Sequence, residues 1–86
     1  MKTLSAIAMR PSPVKTTAVL VAEKLAMRIH RELKPGAQLQ SEAGLATEFN
    51  VSRITIREAL KVLSGRGLVE LARGRRAQVT QPDGSA

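Results

Sequence analysis

The chemistry open to this chain is concentrated in two short basic stretches. Ser52, Arg53, Ile54, Thr55 and Arg57 fall within six consecutive positions, and Arg73, Gly74, Arg75 and Arg76 within four. A guanidinium is a planar fork of donors. Two of its N–H groups match the O6 and N7 acceptors of guanine, a pairing worth about 1–3 kcal/mol of discrimination against a wrong base. A threonine hydroxyl bonds a base edge or a phosphate, and an outward-facing isoleucine rests on a thymine methyl. Ser52 suits a helix N-cap and can still meet a phosphate, because helix N-termini attract anions. Ser41, Glu42, Lys61 and Arg76 are further candidates for phosphate contact. This is the chemistry of recognition. No nucleophile–base pair, paired carboxylates or phosphate-cradling glycine loop stands out, so an enzyme is not expected.

Composition narrows the partner. The 86 residues carry 14 basic and 7 acidic side chains, a net charge of +7, which favours an anionic partner such as nucleic acid or an acidic membrane surface. Phe49 is the one aromatic residue, so a stacking platform for single strands cannot be built. With no cysteine and a single histidine, disulfides and thiolate metal sites are excluded. No metal or cofactor is expected, and a reducing cytoplasm fits. The opening "MKTLSAIAMRP" has a short apolar run that stops at Arg10-Pro11, which argues against a signal peptide. The run Ala18 to Ala22 is too short to span a membrane.

The elements that must position these groups are legible in outline. Residues 1–15 read as a flexible arm, 16–80 as one folded domain and 81–86, "QPDGSA", as a linker-like tail. Ala22, Leu25, Ile29 and Leu33 recur at helical spacing, which predicts a first helix from about Thr16 to about Leu33, with an earlier start at Ser12-Pro13 as an alternative. Pro35-Gly36 ends it. Leu39 lies in a short extended piece. Ser41 caps a second helix that runs to about Phe49 and buries Leu45, Ala46 and Phe49. Asn50 turns the chain, and Ser52 caps a third helix that ends at Gly65 and Gly67. Leu68 to Leu71 and Ala77 to Thr80 read as two strands around a basic turn. The expected fold is mainly α with a small β-hairpin wing: a winged helix-turn-helix of three helices and a short antiparallel sheet.

On a helical wheel the third helix has two faces. Ile56, Ala59, Leu60 and Leu63 form a stripe for the core, while Arg53, Ile54, Arg57 and Lys61 face outward with Thr55 at the flank. In a helix-turn-helix the second of the two helices enters the major groove, its first residues nearest the bases.

The stretch "LKPGAQLQSEAGLATEFNVSRITIREALKVLSGRGLVELARGRRAQV" closely resembles the DNA-binding domain of the GntR family of bacterial transcription regulators. The resemblance covers roughly residues 16 to 80 and carries L-x-P-G-x-x-L, S-E-x-x-L-A-x-x-F-x-V-S-R-x-T-x-R-E-A-L and G-L-V in order. It implies a cytoplasmic, metabolite-responsive regulator, a repressor, that binds palindromic double-stranded operator DNA as a homodimer. It further implies operator contacts from Ser52, Arg53, Thr55 and Arg57, and a minor-groove contact from the hairpin tip Arg73-Gly74-Arg75. Two positions depart from the family pattern. Ala43 stands where some members carry a basic residue, and the wing's glycine-arginine-glycine reads Gly74-Arg75-Arg76. Members continue into a larger domain that binds a small-molecule effector and dimerises. This chain is expected to be a fragment ending before that domain, or an unusually short member.

Other readings of the same residues are plainer. Arg53 and Arg57 can solubilise a helix face, Thr55 can bond back to its own helix, and Arg73 to Arg76 can form an ordinary solvated turn. Glu58 is expected to pair with Lys61, and His30 to sit on the surface near a helix C-terminus. The rival function is a winged-helix module that binds RNA or a protein partner. Attachment of the first helix to a membrane surface is disfavoured by Glu23 and Glu32.

Overall fold

The computed structural model describes residues 15–81. Helix α1 spans Thr17–Glu32, α2 Glu42–Phe49 and α3 Arg53–Gly65, followed by strands β1 (Val69–Glu70) and β2 (Gln78–Val79). Each helix begins where a hydroxyl is available to cap it. Thr16 accepts from the Val19 amide, Ser41 from that of Gly44 and Ser52 from that of Thr55, at 3.1, 3.0 and 3.1 Å. Each satisfies an amide that has no carbonyl partner within its helix. The alternative start at Ser12-Pro13, nearly all of the expected arm 1–15 and all but Gln81 of the tail lie outside the described residues.

The ends of α2 and α3 follow from left-handed residues. Asn50 takes φ 56° and ψ 48°, its amide bonding Thr47 O while the Val51 amide bonds Ala46 O. Gly67 takes φ 77°, with its amide on Ser64 O and the Leu68 amide on Leu63 O. Both are the paired closing bonds of a Schellman ending. α1 ends differently, at Leu33 in extended backbone (φ −104°, ψ 143°), and the Pro35-Gly36 turn follows it, with Gly36 at φ 87° and the Ala37 amide bonding Lys34 O.

The core is a single cluster. Val21, Ala22, Leu25 and Ile29 of α1 meet Ile56, Ala59, Leu60 and Leu63 of α3, with Leu45 and Ala46 of α2 closing one side. Leu39, Val69, Ala77 and Val79 bring the wing into the same cluster. Burying one such leucine or isoleucine side chain is worth about 1.5–3 kcal/mol. Phe49 departs from expectation. It is only half-buried: the ring packs against the edge of the core, and the Arg28 guanidinium lies 5.5 Å from its centroid on the side the core leaves open.

The wing is shorter than the apolar pattern suggested. The expected strands 68–71 and 77–80 reduce to Val69–Glu70 against Gln78–Val79, antiparallel, with Val69 opposite Val79 and Glu70 opposite Gln78. Leu71 has left the sheet and is 45% exposed. The short extended piece expected around Leu39 is present, and it pairs with the hairpin as a third edge, which the sequence did not foretell. The segment before α2 lies along β2, with the Leu39 amide on Ala77 O and the Val79 amide on Ala37 O, each 2.8 Å, and a bridge from Gln38 to Gln78. The hairpin is thereby fastened to the entry of α2.

Candidate nucleic-acid interface

The start of α2, the outward face of α3 and the wing enclose an open groove of about 670 Å³. Ser41 and Glu42 line it from α2, Arg53, Arg57 and Lys61 from α3, and Arg73, Gly74, Arg75 and Arg76 from the wing. Six cations therefore face one carboxylate, Glu42, in this lining. Two segments far apart in sequence share one basic surface because the wing folds back beside α3.

Ser52, Ile54 and Thr55 stand at the head of α3 but outside the groove lining. Ile54 is 71% exposed, the most exposed of the large apolar side chains among the described residues, so it is free to meet a partner surface. The Thr55 hydroxyl lies 3.0 Å from Ser52 Oγ, so the two hydroxyls form a pair at the helix start. This is a bond within the helix N-terminus, close to the plainer reading of Thr55. Lys61 sits 3.6 Å from Glu58, the i,i+3 pair expected, and both remain well exposed.

Two engagements were invisible to sequence reading. Arg57 is held by Glu42 through two bonds, Nη2 to Oε1 at 3.0 Å and Nε to Oε2 at 3.3 Å. The bond from Arg57 holds the Glu42 carboxyl below the usual glutamate range, against the opposing effect of partial burial, with Arg53 adding a smaller attraction. The Glu42 carboxylate is thus a partner for an arginine. Being acceptor-only when ionised, it offers a phosphate nothing except the backbone amide of its residue. Arg76 Nη2 donates to Gln38 Oε1 at 3.3 Å, which ties the base of the wing tip to the third edge of the sheet. At the tip itself the Arg75 amide bonds Ala72 O at 3.1 Å, and Gly74 takes φ 73°. Positive φ at the third residue is what a type II turn demands, and the one glycine suffices. Arg76 in place of a second glycine leaves this turn intact.

Among the described residues no cluster of His, Cys, Asp or Glu has the makings of a metal site, and no polar or charged residue is fully buried, although the Thr80 hydroxyl is buried without a hydrogen-bond partner. No described helix is long and apolar enough to cross a membrane.

Three helices with a hairpin wing packed beside the third define a winged helix-turn-helix. The chain belongs to the GntR family: residues 17–79 match the family described as bacterial regulatory proteins, gntR family. It is 43% identical over 74 residues to the HTH-type transcriptional repressor NanR of Klebsiella aerogenes and to NanR of Escherichia coli O1:K1 / APEC, covering 85% of this chain and 28% of each relative. The chain thus spans less than a third of the length of these curated relatives, which are transcriptional repressors. Among solved structures, the NTD of AraR in complex with mutant ORR3 superposes with a TM-score of 0.73 at 27% identity, covering 80% of this chain and all of that one. AraR(DBD) in complex with operator ORX1 gives 0.72 at 27%, covering 83% and 88%. Streptococcus agalactiae GntR gives 0.67 at 32%, covering 78% and 33%.

Proposed function

We propose that this chain binds double-stranded operator DNA sequence-specifically, as the operator-reading part of a metabolite-responsive bacterial repressor. The observation that carries the proposal is the basic groove shared by α3 and the wing, in a fold whose AraR neighbour was solved with operator. Residues 16–80 are the DNA-binding domain. Arg53, Thr55 and Arg57 face the major groove with Ile54 against a thymine methyl, and Arg73-Gly74-Arg75 reaches the minor groove. Ser41, Ser52, Lys61, Arg76 and the amide of Glu42 meet phosphates, which supply affinity without sequence information. The protein acts in the cytoplasm, two copies read a palindrome, and a small-molecule effector binds elsewhere in the full regulator.

The test is selection from a random duplex pool at near-physiological salt, wild type beside Arg53→Ala. A short half-site enriched by the wild type is expected. The mutant should blur one base pair of it, a loss of about 1–3 kcal/mol of discrimination. The logarithm of the binding constant should fall by about 0.9 per phosphate neutralised for each tenfold rise in salt. A flat salt response, or equal enrichment by both proteins, would overturn the reading. Enrichment of RNA over duplex DNA would replace it with the rival partner.

A further inference from the structure

Glu42 and Arg57 stand 15 positions apart on two different helices, and the fold joins them within the basic groove. The way they join matters. Arg57 uses Nε and Nη2, one side of its fork, to grip the two carboxylate oxygens at 3.3 and 3.0 Å. A guanidinium carries five N–H donors, and this grip occupies two. The end of the fork, where Nη1 and Nη2 lie side by side, makes no other hydrogen bond among the described residues, and the side chain is 58% exposed. That end is the edge an arginine offers to guanine O6 and N7.

The charge of the pair points the same way. A phosphate that approaches Arg57 meets the Glu42 carboxylate beside it, and the two side chains together are close to neutral. Attraction to the backbone is therefore largely cancelled at this position. A guanine edge is uncharged, so it takes the free donors without meeting that repulsion. Arg53, four residues earlier on the same face, makes no salt bridge among the described residues and attracts Glu42 only weakly and without a bond, so it keeps more of its charge for an anion than Arg57 does. The two arginines of one recognition surface are thus unequal.

We propose that Glu42 is a positioning residue that withholds Arg57 from phosphate and reserves its outer edge for a base, so that the domain tells its operator from bulk DNA. The inference rests on the DNA-binding reading above and assigns the selectivity of that site to a residue on the other helix. An exposed ion pair adds little to stability, so its contribution is read in binding.

The experiment measures Glu42→Gln against a fixed non-cognate duplex across a salt series, beside wild type, Arg57→Gln and the double mutant. Ser41 retains the cap of α2, and far-UV circular dichroism checks that each variant keeps its helices. Glu42→Gln should raise non-cognate affinity about fivefold and steepen the salt slope by about 0.9, the mark of one more neutralised phosphate. The ratio of cognate to non-cognate affinity should fall accordingly. In the Arg57→Gln background the same change should leave the slope unaltered. Glu42→Asp, which keeps the charge but falls one methylene short of the fork, should shift the slope in the same direction by less. An unchanged slope in Glu42→Gln overturns the proposal. So does an equal gain with and without Arg57, which would make Glu42 a bulk charge and nothing more. The non-cognate arm needs no operator, so it judges Glu42 even where selection has counted against the operator reading.

Discussion

Ser52 does two things at the head of α3. Its hydroxyl accepts from the Thr55 amide at 3.1 Å and lies 3.0 Å from the Thr55 hydroxyl. The cap holds in place the turn that carries Arg53, and the proposed phosphate contact would add a second role to the same side chain. Ser52→Ala is expected to cost about 1 kcal/mol of unfolding free energy, read as a lower urea midpoint with an unchanged slope. Ser52→Asp separates the two roles. Aspartate caps as well as serine and favours the positive end of the helix, so stability should hold, while its charge opposes a phosphate and DNA affinity should fall. Equal DNA affinity for wild type and Ser52→Asp would remove Ser52 from the interface.

At the scale of elements, the two glycines after α3 look alike in sequence and differ in structure. Gly65 is the last residue of the helix, and a Cβ there would meet nothing within 4 Å. Gly67 is equally open but sits at φ 77°, the left-handed region that L side chains avoid. The cost of a side chain at Gly67 is therefore backbone strain and not a clash. Gly67→Ala should destabilise by about 1–2 kcal/mol, whereas Gly65→Ala should stabilise by about 0.4–1 kcal/mol by reducing the freedom of the unfolded chain. Thermal unfolding of the two variants should move in opposite directions, and a shared direction would refute this account of the helix ending. The same ending aims the hairpin, since Leu68 closes it through its amide and accepts from the Thr80 amide at 3.0 Å.

Across the whole molecule, the helices are joined by one apolar cluster and clasped outside it by charge. Arg28 of α1 bonds Glu48 of α2, with Nη1 to Oε1 at 3.2 Å and a second bond from Nη2 to Oε2. Gln40 adds a third at 2.6 Å. The bond from Arg28 is the chief cause that holds the Glu48 carboxyl below its ordinary range, as Arg57 does for Glu42. A carboxyl depressed in the folded state binds a proton more readily when unfolded. Its stabilisation is therefore complete above the ordinary glutamate value, about pH 4.3, and is lost as pH falls through the lower folded value. The melting temperature should fall between neutral pH and about pH 3, and Glu48→Gln should flatten part of that fall. Because both partners are about a third exposed, the share belonging to this pair is small, of order 0–1 kcal/mol. An identical acid profile in Glu48→Gln would show that the clasp contributes nothing.

Features that depend on near neighbours along the chain can be read without a structure. Thr16, Ser41 and Ser52 cap because a hydroxyl reaches an amide three residues on, and Asn50 turns because it tolerates left-handed backbone. The stripe Ile56, Ala59, Leu60 and Leu63 is buried because helical periodicity sets one face. These local rules, with the family motif over them, sufficed for three helices and a wing, and they singled out the basic residues that line the groove. Tertiary structure decided whatever joins distant segments. Only the folded chain brings Glu42 to Arg57, lays Gln38 along β2 and sets Arg28 over Phe49, leaving that ring half-covered. It also trims the hairpin to two paired residues a side, because Leu71 faces solvent beside the groove instead of a partner strand. Charge type and spacing say which groups can meet DNA. Which of them are already engaged by another part of the protein is a matter of geometry between elements, and a one-dimensional pattern does not encode it.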